Sequence, residues 1–203
     1  MMKESMSAEK MLVTTYMLSV LRLCLLFILL CGLVYPLLST GVAQLLMPKQ
    51  ANGSLIKDEA GVVVGSVLIG QQFNQPTYFH GRVSSISYQA EASGSNNYGP
   101  SNPALLDRMK ETIAEWEKKN PDVALDQVPI QLLTNSASGL DPHISPQAAN
   151  VQIPRISKET GVSEATLLAL VKQHTEQRDL MIFGEPRVNV LQLNLALNEI
   201  ISS

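Results

Sequence analysis

The hydrophobic pattern divides the chain into one long apolar segment near its N-terminus and a mixed remainder. No charged residue occurs from Leu23 to Leu38. Counting outward to Tyr16 gives roughly 20 residues, or about 30 Å of helix, which matches the hydrocarbon thickness of a bilayer. The pattern predicts a short cytoplasmic tail at residues 1–14, a transmembrane helix at 15–41 and an extracytoplasmic domain at 42–203.

Arg22 is the one charge that the predicted span has to accommodate. At the bilayer centre it would cost about 2.5 to 3.5 kcal/mol. We therefore expect Arg22 to reach a headgroup layer while Leu23 to about Gly41 cross the lipid, with Tyr16 and Tyr35 near the two interfaces. A functional Arg22 that pairs with a partner helix is an open alternative.

A cleavable signal peptide is the rival interpretation of this segment. Small residues, Gly41, Val42 and Ala43, precede Gln44 as a signal peptidase requires, although Pro36 interrupts the approach to that site. The basic residues Lys3, Lys10 and Arg22 before the span favour a cytoplasmic tail, and so place the bulk of the chain outside the cytoplasm.

The remainder mixes short strand patterns with helical ones. We predict a hairpin that joins "SLI" to a glycine-bounded strand pattern at 61–71, and extended segments at Thr77–Val83 and Val128–Thr134. We predict helices from Pro103 to about Asn120, from Pro146, on either side of Gly161 with a cap at Ser163, and from about Val190 after a short strand. The fold class is therefore α+β, in one compact domain.

A Ser/Asn/Gly-rich stretch at 84–102 lacks the large aliphatic residues that a core element needs, so it predicts a loop, either mobile or held by a partner. No cysteine follows the apolar segment, because both Cys24 and Cys31 lie inside it. The outer domain therefore needs no disulfide or thiolate metal site.

Candidate chemistry concentrates in the stretch "SASGLDPHISPQAAN". Ser138, Asp141 and His143 suggest a catalytic triad, but known triads assemble from distant segments, and neighbours this close cannot align. The alternative is a structured turn that uses the freedom of Gly139 and the Asp141–Pro142 step, followed by a helix capped at Ser145.

Other chemistry finds little support in the composition. The formal net charge is -3 with scattered basic residues, which argues against nucleic-acid binding. The three histidines lack metal-ligand spacing with carboxylates, so we predict no metal site. No phosphate-binding loop, dinucleotide fingerprint or aspartyl-phosphate motif occurs.

Several phrases taken together carry a resemblance to a known family. They are "VYPLLSTGVAQ", "QANGSLI", "GSVLIGQQF", "YFHGR", "GPSNPALLDR", "SASGLDPHISPQAANVQIPRI" and "GEPRVNVLQLNLAL", in this order from Val34 to about Asn198. The chain strongly resembles the C subunit of the Kdp potassium-transporting ATPase, the bacterial high-affinity potassium pump.

The resemblance implies a non-catalytic accessory subunit in the bacterial cytoplasmic membrane. Its partners would be a channel-like potassium-translocating subunit, a P-type ATPase subunit and the lipid bilayer. It also implies a role in assembly and, as a "catalytic chaperone", in raising the ATP affinity of the ATPase subunit. ATP as a ligand of this chain rests on the resemblance only. The runner-up is a stand-alone, membrane-anchored solute-binding or envelope module, and a secreted hydrolase is third.

Arg22 is a candidate contact position because of its charge in the span, and the phrases of the resemblance contain the other candidate contact or signature positions: Tyr35, Pro36, Ser138, Gly139, Asp141, Pro142, Gln147, Glu185 and Arg187. The chain departs from the family pattern at Val83, where proline is common, and at Gly94–Ser95, where paired glycines are usual. These departures argue against a nucleotide contact by that glycine-rich segment.

Overall fold

The computed structural model describes residues 2–58 and 60–202, and the chain divides into two compact units between Ser54 and Leu55. The first unit is helical. Helix α1 (Met2–Leu29) runs through a π-helical turn (Leu30–Val34) into α2 (Tyr35–Leu46), and a short α3 (Pro48–Ala51) follows.

The π-helical turn is the local response to Pro36. Proline has no N–H to donate to the carbonyl four residues earlier, and its ring crowds that carbonyl. The backbone widens just before the proline, where the N–H of Tyr35 donates to Leu30 O, five residues back. The helix therefore continues past Pro36 to Leu46 without a break.

One helical stretch in the described part of the chain is long and apolar enough to cross a bilayer. It runs over Met11–Leu46, its most apolar window has a mean hydropathy of 2.6, and none of that window is buried within the chain. The helix extends beyond both predicted ends of the span, so the ends at 15 and 41 stay a prediction.

The second unit is an α+β assembly, as predicted. A two-stranded antiparallel sheet joins β1 (Leu55–Lys57) to β2 (Val63–Ser66), with an irregular register between Ile56 and Lys57. A three-stranded antiparallel sheet has the order β3 (His143–Ile144), β5 (Arg187–Asn189), β4 (Thr175–Glu176). The helices are α4 (Pro103–Lys119), α5 (Pro146–Asn150), α6 (Ile153–Thr160), α7 (Glu164–Gln173) and α8 (Val190–Ser202).

Helix ends follow the capping residues that the sequence contains. Asn102, Ser145 and Ser163 each accept a backbone N–H of the first turn of the helix they precede. Gly161 ends α6 in the left-handed conformation, with φ +75°. These predicted boundaries, the hairpin at β1 and β2, the short strand β5 and the start of α8 at Val190 are confirmed.

Two predicted extended segments are wrong. Val128–Thr134 forms a 3-10 turn at Ile130–Leu132, which buries the neighbours Leu132 and Leu133 together, whereas a strand would point them to opposite faces. Thr77–Val83 joins neither sheet, and its one ladder contact is a parallel bridge from Val83 to Asn135.

Side-chain amides supply the hydrogen bonds that a sheet would have given to Phe79 and His80. Asn194 of α8 accepts from the N–H and donates to the carbonyl of Phe79, both at 2.9 Å. Gln152 accepts from His80 N at 2.8 Å and donates to His80 O at 3.0 Å. We call these two residues the amide clamp. Asn194 is 1% exposed and Gln152 0%, so both side chains of the clamp are buried.

A buried guanidinium completes this region. Arg155 of α6 donates to Asn120 Oδ1 and to Gln152 Oε1, each at 2.9 Å, and to Pro76 O. All three acceptors are neutral, and burial lowers the pKa of Arg155 to about 10. The core formed around Phe79, Ile156, Leu167, Leu193 and Leu197 thus includes a polar layer in which every amide has a partner.

The clamp predicts a specific loss of stability. Asn194→Ala leaves the N–H and carbonyl of Phe79 buried and unpaired, so the free energy of unfolding should fall by about 2 to 4 kcal/mol. Urea unfolding of the full chain in mild detergent, followed by the fluorescence of its single tryptophan, Trp116, measures this. Asn198→Ala, one turn later in α8, is the control and should change it by less than about 0.5 kcal/mol. Equal effects would contradict the clamp.

His80 predicts an acid-dependent loss of stability. Burial first, and the nearby charge of Arg155 second, lower its pKa from the usual 6.5 to about 4. Between these values His80 is neutral in the folded chain but protonated in the unfolded chain, so stability falls as pH falls through this window, by at most about 1.4 kcal/mol per unit. His80→Gln should flatten that slope in urea titrations at stepped pH. An unchanged slope would contradict the assignment.

Candidate functional site

The segment Ser136–Pro142, here called the GLDP loop, contains four of the predicted site residues. It follows the 3-10 turn at Ile130–Leu132 and leads into β3. Ser136 is 2% exposed, and its N–H donates to Val83 O at 3.0 Å. The loop therefore starts as a buried element and not as a surface excursion.

The backbone carbonyls of the GLDP loop each hold a different part of the second unit. Four donors reach them: Gly94 N to Ser138 O at 2.8 Å, Ser84 Oγ to Gly139 O at 2.7 Å, Gly70 N to Leu140 O at 2.8 Å, and Val190 N to Pro142 O at 3.0 Å. These donors come from distant positions in the sequence. The loop is thus a junction for segments that neither sheet contains.

Gly139 is required at this junction. Its φ is +69°, and a Cβ there would lie 2.6 Å from Ile86 Cγ1 and 2.9 Å from Gly94 O. Both the backbone conformation and the close approach exclude a side chain. The prediction of a structured turn built on Gly139 therefore has a geometric basis.

The polar side chains of the loop serve its own conformation. Ser138 Oγ accepts from Leu140 N at 3.1 Å, and Asp141 Oδ1 accepts from His143 N at 3.0 Å. Asp141 Oδ2 pairs with Arg82 Nη1 at 3.1 Å, while His143 Nδ1 lies 3.9 Å from Asp141 Oδ1, beyond hydrogen-bond distance. Burial lowers the pKa of His143. Ser138, Asp141 and His143 thus make the bonds of a turn.

The loop also fixes the beginning of the Ser/Asn/Gly-rich stretch. Ser84 Oγ accepts from Tyr88 N at 3.0 Å, and the hydroxyl of Tyr88 donates to Arg82 O. Burial, then Asp141, raises the pKa of Tyr88 to about 12. Ser87 and Tyr88 both have positive φ, which these bonds maintain. The stretch has neither helix nor strand, as predicted, but its first part is held by the chain itself.

Arg82 links the GLDP loop to a cleft of about 230 Å³. His80, Tyr88, Trp116 and Lys119 also line this cleft. Two buried donors here, Arg82 Nε and Trp116 Nε1, have no acceptor among the residues that the structure describes. This is the cleft that the solute-binding alternative would use.

The other predicted site residues lie elsewhere. Arg22 and Tyr35 are exposed on the long helix, which also contains Pro36, and Gln147 is exposed on α5. Glu185 and Arg187 lie at the base of a tight turn between β4 and β5. The structure thus brings Ser138, Gly139, Asp141 and Pro142 together in one loop, while Gln147, Glu185 and Arg187 lie elsewhere in the second unit.

The turn between β4 and β5 has charged residues at its base. Arg178 donates to both carboxylate oxygens of Glu185, at 2.8 and 2.7 Å. Arg187 pairs with Glu176 at 3.0 Å and with Asp179 at 3.2 Å, and the hydrogen bond to Asp179 raises the pKa of Arg187. The two predicted positions Glu185 and Arg187 therefore take part in two separate groups of ion pairs at this base.

Sequence reasoning missed the residues elsewhere in the chain that form hydrogen bonds with the GLDP loop. Arg82 and Ser84 gave no signal of their own, because they bond to Asp141 and Gly139, 59 and 55 positions away in the chain. Tyr88 gave none because its role depends on its bonds to these two residues. Gly70 gave a weak signal as a glycine after a strand pattern: a Cβ there would lie 2.6 Å from Asp141 O. No group of acidic, histidine or cysteine residues suited to a metal ion occurs among the described residues.

Gly139 gives a matched pair of variants. Gly139→Ala adds a clash to an unfavourable φ and should lower the free energy of unfolding by about 2 to 4 kcal/mol. Gly161→Ala has a similar φ, +75°, but open space around the new Cβ, so it should cost only about 1 kcal/mol. Urea titrations of both variants in mild detergent measure the difference. Equal losses would show that close packing at Gly139 is unimportant.

Comparison with known proteins identifies the family. The family profile described as "KdpC: K+-transporting ATPase, c chain" matches residues 17–199. A protein of Bacillus cereus (strain AH820), named "Potassium-transporting ATPase KdpC subunit", is 58% identical over 181 residues, which cover 89% of this chain and 94% of the relative. Proteins with the same name from Bacillus cereus (strain Q1), 57% identical over 182 residues, and Bacillus anthracis (strain A0248), 58% over 181, cover 90% and 89% of this chain and 94% of each relative. The resemblance is confirmed, and the chain belongs to the KdpC family of potassium-transporting ATPase subunits.

Proposed function

We propose that this chain is a non-catalytic accessory subunit of an ATP-driven potassium uptake complex. The observation that carries the proposal is the family match over residues 17–199, which includes both the apolar helix and the outer unit. The relatives are named as subunits of a potassium-transporting ATPase, which favours this function over the stand-alone module. The partners in the proposal are a channel-like potassium-translocating subunit and a P-type ATPase subunit.

The proposal uses the long helix as the membrane anchor. Met11–Leu46 has its apolar side chains outward, so its natural surroundings are lipid or apolar helices of other subunits. Arg22, exposed on this helix, would reach a headgroup layer or pair with a neighbouring helix. The membrane in the proposal is the bacterial cytoplasmic membrane. The basic residues before the span face the cytoplasm, so the second unit lies on the opposite, extracytoplasmic side.

The role of the GLDP loop in this proposal is to shape the outer unit. Its carbonyls and its polar side chains are engaged within the chain, which leaves exposed positions such as Gln147 for contacts with partners. In this way the chain would support assembly. An outer unit has no access to cytoplasmic ATP, so we propose that any effect on ATP affinity passes through the membrane helix.

Co-purification tests the proposal. The chain, tagged at its C-terminus and expressed with the other subunits at native level, should be recovered in mild detergent with two larger membrane proteins. Deleting the chain should reduce potassium-stimulated ATPase activity in the membranes by at least about tenfold, as expected for a subunit needed for assembly. Recovery of the chain only by itself, from membranes that contain the larger proteins, would contradict the proposal.

A second arm separates an accessory role from a catalytic one. Ser138→Ala combined with His143→Ala should retain most of the potassium-stimulated ATPase activity, since the Ser138 hydroxyl bonds within the turn and His143 contributes its backbone N–H, which the substitution keeps. The amount of assembled complex is measured in parallel, so that lost assembly is not mistaken for lost chemistry. A loss of about 1000-fold or more per assembled complex would indicate catalysis by this loop.

A further inference from the structure

The turn between β4 and β5 exposes four consecutive large apolar side chains. Leu180, Met181, Ile182 and Phe183 are 80%, 88%, 72% and 62% exposed, and we call these four residues the apolar tip. Other exposed apolar residues of the described second unit occur singly or in pairs, as at Leu68 and Ile69. Isolated exposed apolar residues are normal on a protein surface, but a contiguous group marks a contact site.

The backbone of the apolar tip is unfavourable for the residues it contains. Leu180 and Met181 have φ of +51° and +64°, and Ile182 N donates to Asp179 O at 3.2 Å to close the turn. A tight turn with positive φ at both central residues suits Asn–Gly, not two large side chains. The sequence therefore has large apolar side chains at two positions where the backbone conformation favours Asn and Gly. Such a conflict is typical of residues kept for function.

The base of the turn holds the apolar tip away from the body of the unit. Asp179 and Phe183 exchange two backbone hydrogen bonds of 2.9 Å. Below them, Arg178 pairs with Glu185, and Arg187 bridges Glu176 and Asp179. The apolar tip is thus presented on a braced base, and a partner would bind it with little loss of conformational freedom.

The charges around the apolar tip favour a protein over a lipid surface. Residues 176–187 contain two arginines against three acidic residues, a net charge of -1, and both arginines are already paired. Segments that insert into anionic membranes carry basic residues free to meet headgroups. An apolar centre surrounded by a rim of positively and negatively charged residues is instead typical of a protein–protein interface.

We propose that the apolar tip Leu180–Phe183 docks into an apolar pocket, rimmed by polar groups, on the extramembrane surface of another subunit of the complex. This inference rests on the proposed function, since it takes the chain to be a complex subunit. Glu185 and Arg187 act in it as the bracing residues of the tip. Sequence reasoning assigned these two as contact positions, and here they hold the contact in place.

The test uses a variant that removes the two most exposed side chains of the apolar tip without weakening the chain. Leu180→Asn combined with Met181→Gly supplies the residues that the turn prefers, so the isolated full chain in detergent should unfold at the same or a higher urea concentration. Recovery of the larger subunits with the tagged chain, after dilution and washing, should nevertheless fall by at least about tenfold, as for a binding hot spot. The matched control is Leu168→Ser on α7. Leu168 is also exposed, at 51%, but it lies outside the apolar tip.

The outcomes separate the two proposals. If the wild-type chain does not recover the larger subunits, the proposed function fails. If wild type, Leu168→Ser and the tip variant all recover them equally, the function stands and the docking inference is overturned.

Crosslinking identifies what the apolar tip contacts. A benzophenone amino acid at position 182, in the intact complex reconstituted into phosphatidylethanolamine and phosphatidylglycerol vesicles, should form a covalent product with a larger subunit. The same group at position 168 should not. Products with lipid only, or between two differently tagged copies of this chain, would overturn the inference in favour of a membrane or a second copy.

Discussion

The second unit depends on side-chain amides that replace a missing sheet. Phe79 and His80 cross the core without a neighbouring strand, and a buried backbone group without a partner is costly. Gln152 and Asn194 each give one of these residues an acceptor and a donor, and Gln152 also donates to Ala148 O and accepts from Arg155. A change in either amide would therefore reach α5, α6 and α8 together.

The GLDP loop follows the same principle with the roles reversed. Here the backbone carbonyls of one irregular segment receive donors from several others, including Ser84, Gly94 and Val190. Both regions join segments far apart in the chain through few, short and mostly buried hydrogen bonds. Two small sheets of two and three strands suffice for this unit because these junctions do the connecting that a larger sheet would do.

Local chemistry made the helix ends predictable, and distant contacts made the rest hard to predict. Asn102, Ser145, Ser163 and Gly161 act on their immediate neighbours, so their roles follow from the sequence. The apolar run at Val128–Thr134 has no such marker, and only its tertiary setting decides that it turns. Arg82 was missed for the same reason, because its partners are distant in the sequence. The apolar run Leu180–Phe183 has the pattern of a buried strand, but the structure exposes it.

The π-helical turn at Leu30–Val34 has a consequence for the neighbours of the long helix. A turn that holds one extra residue rotates everything after it by about 100° relative to an unbroken α-helix. Side chains on α1 and α2 that a regular helical wheel would align therefore point in different directions about the axis. One continuous helix can in this way present one surface before the π-helical turn and a different surface after it, each to a different neighbour.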